Sequence, residues 1–183
     1  MKSIVQRDDV EVVLDPTMLL SSEEWDKVLN KSSIKVEKKY ILMYFLGQID
    51  NEWKAEIERI AIKFDCEIIN ILDKDSKFYQ TGPSEFLYLE KNAFLICTDS
   101  FHSSVFSIVF NVPFIIFERN SNTQSMNSRI HTLLSKFNLQ SRKFTGTITS
   151  DLLKSDYKEA QQILKKEKEK SIKFLKRALD IEE

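Results

Sequence analysis

One short segment of the chain places several hydrogen-bonding side chains directly before its most apolar stretch. Asp99, Ser100, His102, Ser103 and Ser104 precede a run of valine, phenylalanine and isoleucine that reaches residue 117. A helix that begins here, capped by Ser100 or Asp99, would present free backbone N–H groups and the positive end of its dipole to an anion. An imidazole in the first turn is suited to proton transfer near neutral pH. We therefore predict an anion site with an acid–base histidine; the alternative is that these residues only cap the helix.

Three charged residues elsewhere have side chains that could serve the same site. Arg119 and Arg129 flank a polar loop over residues 119–128, and a guanidinium can hold a carboxylate or phosphate through two hydrogen bonds. Glu85 falls in the first turn of a predicted helix, where the dipole alone also favours an acidic side chain. With His102 as the predicted catalytic residue, the predicted substrate-binding residues are Ser100, Phe101, Ser103, Ser104, Arg119, Arg129 and Glu85.

The sequence lacks the common signatures of metal, nucleotide and nucleic-acid binding. It has three glycines and contains no Walker A, G-x-G-x-x-G, G-x-S-x-G or H-E-x-x-H motif. Cys66 and Cys97 form no metal-ligand pattern and suit a reduced, cytoplasmic protein. The formal charge of −1 provides no basic face for nucleic acid, and no window reaches the ~20 apolar residues of a transmembrane helix. We expect neither a metal nor a resident cofactor.

Strand and helix patterns alternate along the chain. Apolar runs predict strands at residues 10–15, 40–47, 66–72, 93–99 and 113–118. Helices are predicted between and after them, one of them opened by a capping box formed by Ser21 and Glu24. This order predicts an α/β fold, with one Rossmann-like domain over residues 1–183, helices on both faces of a parallel sheet and a C-terminal helix within residues 150–183.

Such a fold also predicts where a ligand binds. In open parallel sheets, ligands bind beyond the carboxyl ends of the strands. Four loops are expected at that edge, which we call the rim: residues 47–52, 73–83, 98–102 and 118–128. The histidine segment lies on the third of these loops.

Three segments, in this order, resemble one known family. They are DPTMLLSSEEW (15–25), GPSEFLYLEKNAFLICTDSFHSSVFSIVFNVPFIIFER (82–119) and SRIHTLLSKFNLQSR (128–142). Together they are similar to the C-terminal half of the polysaccharide pyruvyl transferase family, over residues 12 to 145. The resemblance implies one half of a two-domain fold like that of B-type glycosyltransferases. It also implies transfer of a pyruvyl group from phosphoenolpyruvate to a sugar of an exopolysaccharide or cell-wall polymer, as a cyclic ketal.

The resemblance assigns roles to individual positions. His102 matches the histidine proposed as acid/base in the family, and residues 100–104 match the donor-binding region. Several members have an arginine two residues before the histidine, where this chain has Ser100. Arg129 or Arg119 would then supply the missing charge, or the donor would differ.

The resemblance further implies a partner for this chain. Only 14 residues precede Asp15, so an N-terminal domain that completes the cleft is expected to be missing, and the chain alone is expected to be inactive or to form a homo-oligomer. Phosphoenolpyruvate and a sugar acceptor are the expected ligands, in the cytoplasm or at the membrane periphery. Two alternatives are a nucleotide-sugar-binding domain of a glycosyltransferase and a non-catalytic partner domain.

Overall fold

The four central strands predicted from the sequence form one parallel sheet. The computed structural model of the chain describes residues 10–119 and 124–181. Within these residues the sheet has the order β2-β1-β3-β4, and every neighbouring pair is parallel. The strands are β1 (Tyr40–Tyr44), β2 (Glu67–Asn70), β3 (Leu95–Thr98) and β4 (Phe114–Ile116). The predicted α/β class is confirmed.

Six α-helices surround the sheet in the described part of the chain. They are α1 (Ser22–Leu29), α2 (Asn51–Phe64), α3 (Pro83–Asn92), α4 (Phe101–Phe110), α5 (Gln124–Lys136) and α6 (Lys158–Ala178), together with 3-10 turns at Pro16–Leu19 and Gln140–Arg142. The predicted capping box opens α1, since Ser21 Oγ accepts from the Glu24 N–H and Glu24 accepts from the Ser21 N–H. None of the described helices is both long and apolar enough to cross a bilayer.

The two faces of the sheet are covered differently. Side chains alternate along each strand, so that Leu42 and Ile96 point into one core and Ile41 and Cys97 into the other. The first core is closed by apolar side chains of α1, α3, α4, α5 and α6. The second is closed by α2 and by a non-helical segment over residues 144–153. Helices therefore lie on both faces as predicted, but on the second face a loop segment does part of the covering.

Two sequence predictions of local structure are wrong. Residues 10–15 form no strand, because this segment packs on helices instead of joining the sheet, and the Leu14 N–H donates to Ser171 Oγ at 3.0 Å. The polar loop predicted over residues 119–128 is shorter, since α5 begins at Gln124; residues 120–123 lie outside the described residues. The C-terminal helix predicted within residues 150–183 is present; it begins at Lys158, and turns precede it.

Candidate functional site

The carboxylate of Asp99 joins three segments at the rim. Its Oδ1 accepts a hydrogen bond from the Leu46 N–H at 2.7 Å, and its Oδ2 accepts one from the Gly47 N–H at 2.8 Å. Arg119 donates to the same carboxylate through Nε at 2.5 Å and Nη2 at 3.2 Å. A Cβ atom on Gly47 would lie 3.0 Å from Asp99 Oδ2, so glycine alone fits there without a shift. Asp99 therefore fixes the ends of β1, β3 and β4 relative to one another.

The serines at the start of α4 serve the helix itself. Ser100, and not Asp99, is the N-cap, and its Oγ accepts from the Ser103 N–H at 3.5 Å. Ser104 Oγ donates to the Ser100 carbonyl at 2.8 Å, and Ser103 and Ser104 are fully buried. These hydroxyls are thus not exposed at the rim. Helix geometry still leaves the backbone N–H groups of Phe101 and His102 without an intrahelical acceptor, so an anion would meet these amides first.

His102 is exposed at the start of α4 and faces a carboxylate. Its side chain is 54% exposed, and Nε2 lies 3.9 Å from Asp15 Oδ2. The rings of His102 and the neighbouring Phe101 are nearly perpendicular, with their centroids 5.5 Å apart. An imidazole in this position is accessible to a substrate and can exchange protons with it.

Arg129 supplies a positive charge beside the same helix start. Its guanidinium carbon lies 4.2 Å from the centre of the Phe101 ring, in a cation–π contact. This contact places the positive charge of an α5 residue next to the first turn of α4. Among the described residues no carboxylate lies within ion-pair distance of Arg129. Asp15, Phe101 and Arg129 also line a hollow of about 100 Å³. The structure therefore brings three of the predicted site residues together: Phe101, His102 and Arg129.

Two other predicted residues have partners within the fold. The Arg119 side chain is only 17% exposed and pairs with Asp99, so it holds the rim together and its charge is already balanced. Glu85 Oε1 accepts from both the N–H and the Oγ of Ser33 at 3.0 Å, and the bond from this backbone N–H lowers the Glu85 pKa. The structure places neither residue in contact with His102.

A buried carboxyl group lies behind the first turn of α4. Glu90 on α3 is fully buried, and neither of its carboxyl oxygens has a hydrogen-bond partner among the described residues. Burial raises the pKa of this carboxyl to about 8, and the nearby Ser103 hydroxyl acts in the opposite direction on this pKa. Because the hydroxyl of Ser103 also lacks a well-formed hydrogen bond, these two groups form an isolated polar contact inside the core.

An aromatic hollow opens at the rim where β1 and β2 end. It has a volume of about 400 Å³ and is lined by Tyr44, Tyr79 and Phe86, among others. Leu46, Leu72 and Tyr79 on the surrounding loops are 50%, 41% and 46% exposed. The rim of this chain thus combines a helix start that has free backbone N–H groups with exposed apolar side chains.

Sequence reasoning missed the roles of Asp15, Asp99 and Glu90. The segment around Asp15 reads as a strand end, yet Asp15 caps the 3-10 turn by accepting from the Thr17 N–H, and Pro16 at the first position of that turn was the available signal. The partners of Asp99 and the burial of Glu90 depend on contacts between distant segments. No local pattern could have indicated them.

Comparisons with known proteins point to one family. The model of the polysaccharide pyruvyl transferase family matches residues 2–121, which include the whole histidine segment and Arg119 but not Arg129. No curated protein matches the chain. Among solved structures, the glycotransferase of kitacinnamycin is similar over 80% of this chain and 45% of its own, with 14% sequence identity and a TM-score of 0.47. The chain therefore spans less than half the length of that protein.

Proposed function

Because the chain belongs to the polysaccharide pyruvyl transferase family, we propose that it forms the histidine-bearing wall of a site for pyruvyl transfer. The donor is phosphoenolpyruvate, and the acceptor is a sugar of an exopolysaccharide or cell-wall polymer precursor. One observation carries this proposal: His102 is exposed at the start of α4, and the guanidinium of Arg129 stacks on the residue beside it.

The donor suits the charges of this site. Phosphoenolpyruvate carries a phosphate and a carboxylate, and both groups bind well to free helix N–H groups and to a guanidinium. The amides of Phe101 and His102 provide the first kind of contact, and Arg129 provides the second. Since Arg119 is paired with Asp99, Arg129 is the better candidate for the charge that several family members place two residues before the histidine.

The reaction requires proton transfers that one histidine can perform in turn. A first sugar hydroxyl adds to C2 of the donor, and a proton is delivered to C3, so that the methylene becomes a methyl group. A second sugar hydroxyl then displaces phosphate from C2. This hydroxyl loses its proton as its oxygen bonds to C2 and closes the ketal. His102 accepts the hydroxyl protons and donates the proton that C3 requires.

A second domain is part of this proposal. The exposed apolar side chains of Leu46, Leu72 and Tyr79 support a partner that covers the rim and binds the acceptor. We expect this partner to be the N-terminal half of the same enzyme, which works in the cytoplasm, where phosphoenolpyruvate is made. An N-terminal half that fails to associate with this chain would argue against such a partner.

Saturation-transfer NMR tests the proposal on this chain directly. We expect transfer to the C3 protons of phosphoenolpyruvate and its loss in Arg129→Ala. Binding of a UDP- or GDP-sugar in place of phosphoenolpyruvate would favour the glycosyltransferase alternative. Association with the N-terminal half without binding of either donor would favour a non-catalytic role. In the complete enzyme, release of inorganic phosphate that depends on the sugar acceptor is the decisive result.

A further inference from the structure

The contact between Asp15 and His102 joins two segments that are 87 positions apart in sequence. Asp15 precedes the 3-10 turn Pro16–Leu19, and His102 lies in the first turn of α4. The distance of 3.9 Å between Asp15 Oδ2 and His102 Nε2 is too long for a hydrogen bond but short enough for a direct ionic interaction. Catalytic hydrogen bonds are often long without substrate and tighten when it binds.

Asp15 is oriented by its own hydrogen bonds. Its Oδ1 accepts from the Thr17 N–H at 3.1 Å and from Thr17 Oγ1 at 2.7 Å. These bonds engage one carboxylate oxygen, while the other, Oδ2, faces His102. The Asp15 side chain is 19% exposed, so water screens its charge only partly.

The backbone around Asp15 is also fixed at several points. The Leu14 N–H donates to Ser171 Oγ on α6 at 3.0 Å, and Trp25 Nε1 on α1 donates to the Thr17 carbonyl at 3.0 Å. Met18 is buried in the core. A carboxylate anchored in this way can orient an exposed ring.

We infer that Asp15 is the positioning residue of His102: its carboxylate holds a proton on the ring nitrogen that faces it and leaves the opposite nitrogen to exchange protons with the substrate. A carboxylate beside one nitrogen of an imidazole selects the tautomer in this way and stabilises the imidazolium that forms during proton transfer. The catalytic part of this inference rests on the proposed function, but the orientation of the ring does not.

The first test needs no activity. The chain has two histidines, so ring ¹⁵N NMR gives two sets of signals, and His131, which contacts Glu118 and Lys143, serves as an internal reference. Asp15→Asn keeps an oxygen for the Thr17 N–H but removes the charge. We expect it to change the ratio of tautomers of His102 and to leave His131 unchanged. Asp26→Asn is the matched control, because Asp26 pairs with Lys91. Unchanged His102 signals in Asp15→Asn would overturn the inference.

The second test uses the complete enzyme. Asp15→Asn should lower kcat roughly 10–100-fold with little change in KM, as expected for the loss of a group that orients another. Asp15→Glu, which retains the charge, should recover part of the turnover. In the His102→Ala background, Asp15→Asn should have no further effect on kcat; an equal loss there would show that Asp15 acts independently of His102 and would overturn its positioning role.

The two tests separate this inference from the proposed function. If the NMR signals change but phosphoenolpyruvate is not a donor, the pair stands and the proposed reaction is wrong. If pyruvyl transfer is observed while Asp15→Asn changes neither the NMR signals nor kcat, the reaction stands and the inference is wrong.

Discussion

Arg119 and Asp99 form a two-point ion pair at the carboxyl end of the sheet, with Nε 2.5 Å from Oδ2 and Nη2 3.2 Å from Oδ1. Arg119 also donates to the Asp99 carbonyl at 3.3 Å. The same carboxylate accepts hydrogen bonds from the N–H groups of Leu46 and Gly47. One buried acid thus fixes the part of the rim next to the first turn of α4. The charge of Arg119 is therefore neutralised by Asp99, and an anionic ligand has to bind to a different cationic side chain.

Removal of Asp99 should destabilise the protein strongly. Asp99→Ala leaves the largely buried Arg119 without a carboxylate partner and the N–H groups of Leu46 and Gly47 without their acceptor. We expect the free energy of unfolding to fall by about 3–5 kcal/mol, measured by urea denaturation. The matched control is Asp151→Ala, since the ion pair of Asp151 with Lys154 is exposed and such pairs contribute at most ~1 kcal/mol. Similar losses in the two variants would contradict the role assigned to Asp99.

The buried carboxyl of Glu90 should make stability depend on pH. Burial raises its pKa from 4.5 to about 8 in the folded protein, while the unfolded chain releases this proton at the ordinary value. The unfolded state therefore binds fewer protons between these limits, and the free energy of unfolding should fall as pH rises from about 4.5 to about 8, by up to about 1.4 kcal/mol per pH unit.

Glu90→Gln removes this titration and should flatten the dependence of the unfolding free energy on pH in that window. Glu85→Gln on the same helix is the control, since Glu85 is only partly buried and its pKa is lowered, chiefly by the hydrogen bond from the Ser33 N–H. Its titration therefore falls below this window. Denaturation curves at several pH values measure both variants. A slope that persists in Glu90→Gln would assign the titration to other groups.

His102→Ala should reduce turnover far more than donor affinity. Loss of a general acid–base group commonly lowers kcat ~10²–10⁴-fold, and the side chain is exposed, so the fold should survive the change. The measurement is steady-state kinetics of the complete enzyme with phosphoenolpyruvate. His131→Ala, which removes the second histidine from an exposed cluster with Glu118 and Lys143, should keep nearly full activity. Full turnover in His102→Ala would show that this histidine has only a structural role.

Arg129→Ala should mainly weaken donor binding. A guanidinium that holds the donor acts in the ground state as well as in the transition state, so KM for phosphoenolpyruvate should rise with a smaller change in kcat. Arg129→Lys keeps the charge but loses the planar contact with Phe101 and two-point binding, so it should recover only part of the affinity. A drop in kcat at unchanged KM would instead place Arg129 at the reacting atoms.

The sequence predicted the sheet because its strands are buried on both faces. Continuous apolar runs such as Tyr40–Tyr44 and Leu95–Thr98 are typical of parallel strands, and their burial in the structure explains the pattern. The start of α4 was also predictable, since Ser100 is a common N-cap residue. These features are set by residues close together in the sequence, so that local patterns are enough to predict them.

The arrangement of the site was only partly predictable, because it depends on distant contacts. Phe101, His102 and Arg129 were all identified from the sequence, but nothing local indicates that Arg129 stacks on Phe101 or that Asp15 faces His102. Arg119 was expected to bind a ligand, and its pairing with Asp99 follows from the meeting of the ends of β3 and β4. The segment over residues 10–15 has the composition of a strand, yet its partner is a helix.

The hydrogen bond from Leu14 to Ser171 has a consequence for the synthesis of the protein. It links positions 157 residues apart, and the segment that it anchors carries Asp15. A ribosome that has made the sheet and α4 has therefore not yet made Ser171, one of the residues that fix the segment of Asp15. The bond that ties the Asp15 segment to α6 can therefore form only after the last helix has left the exit tunnel. A truncated product without α6 would contain every predicted site residue and still lack one of the contacts that fix the Asp15 segment.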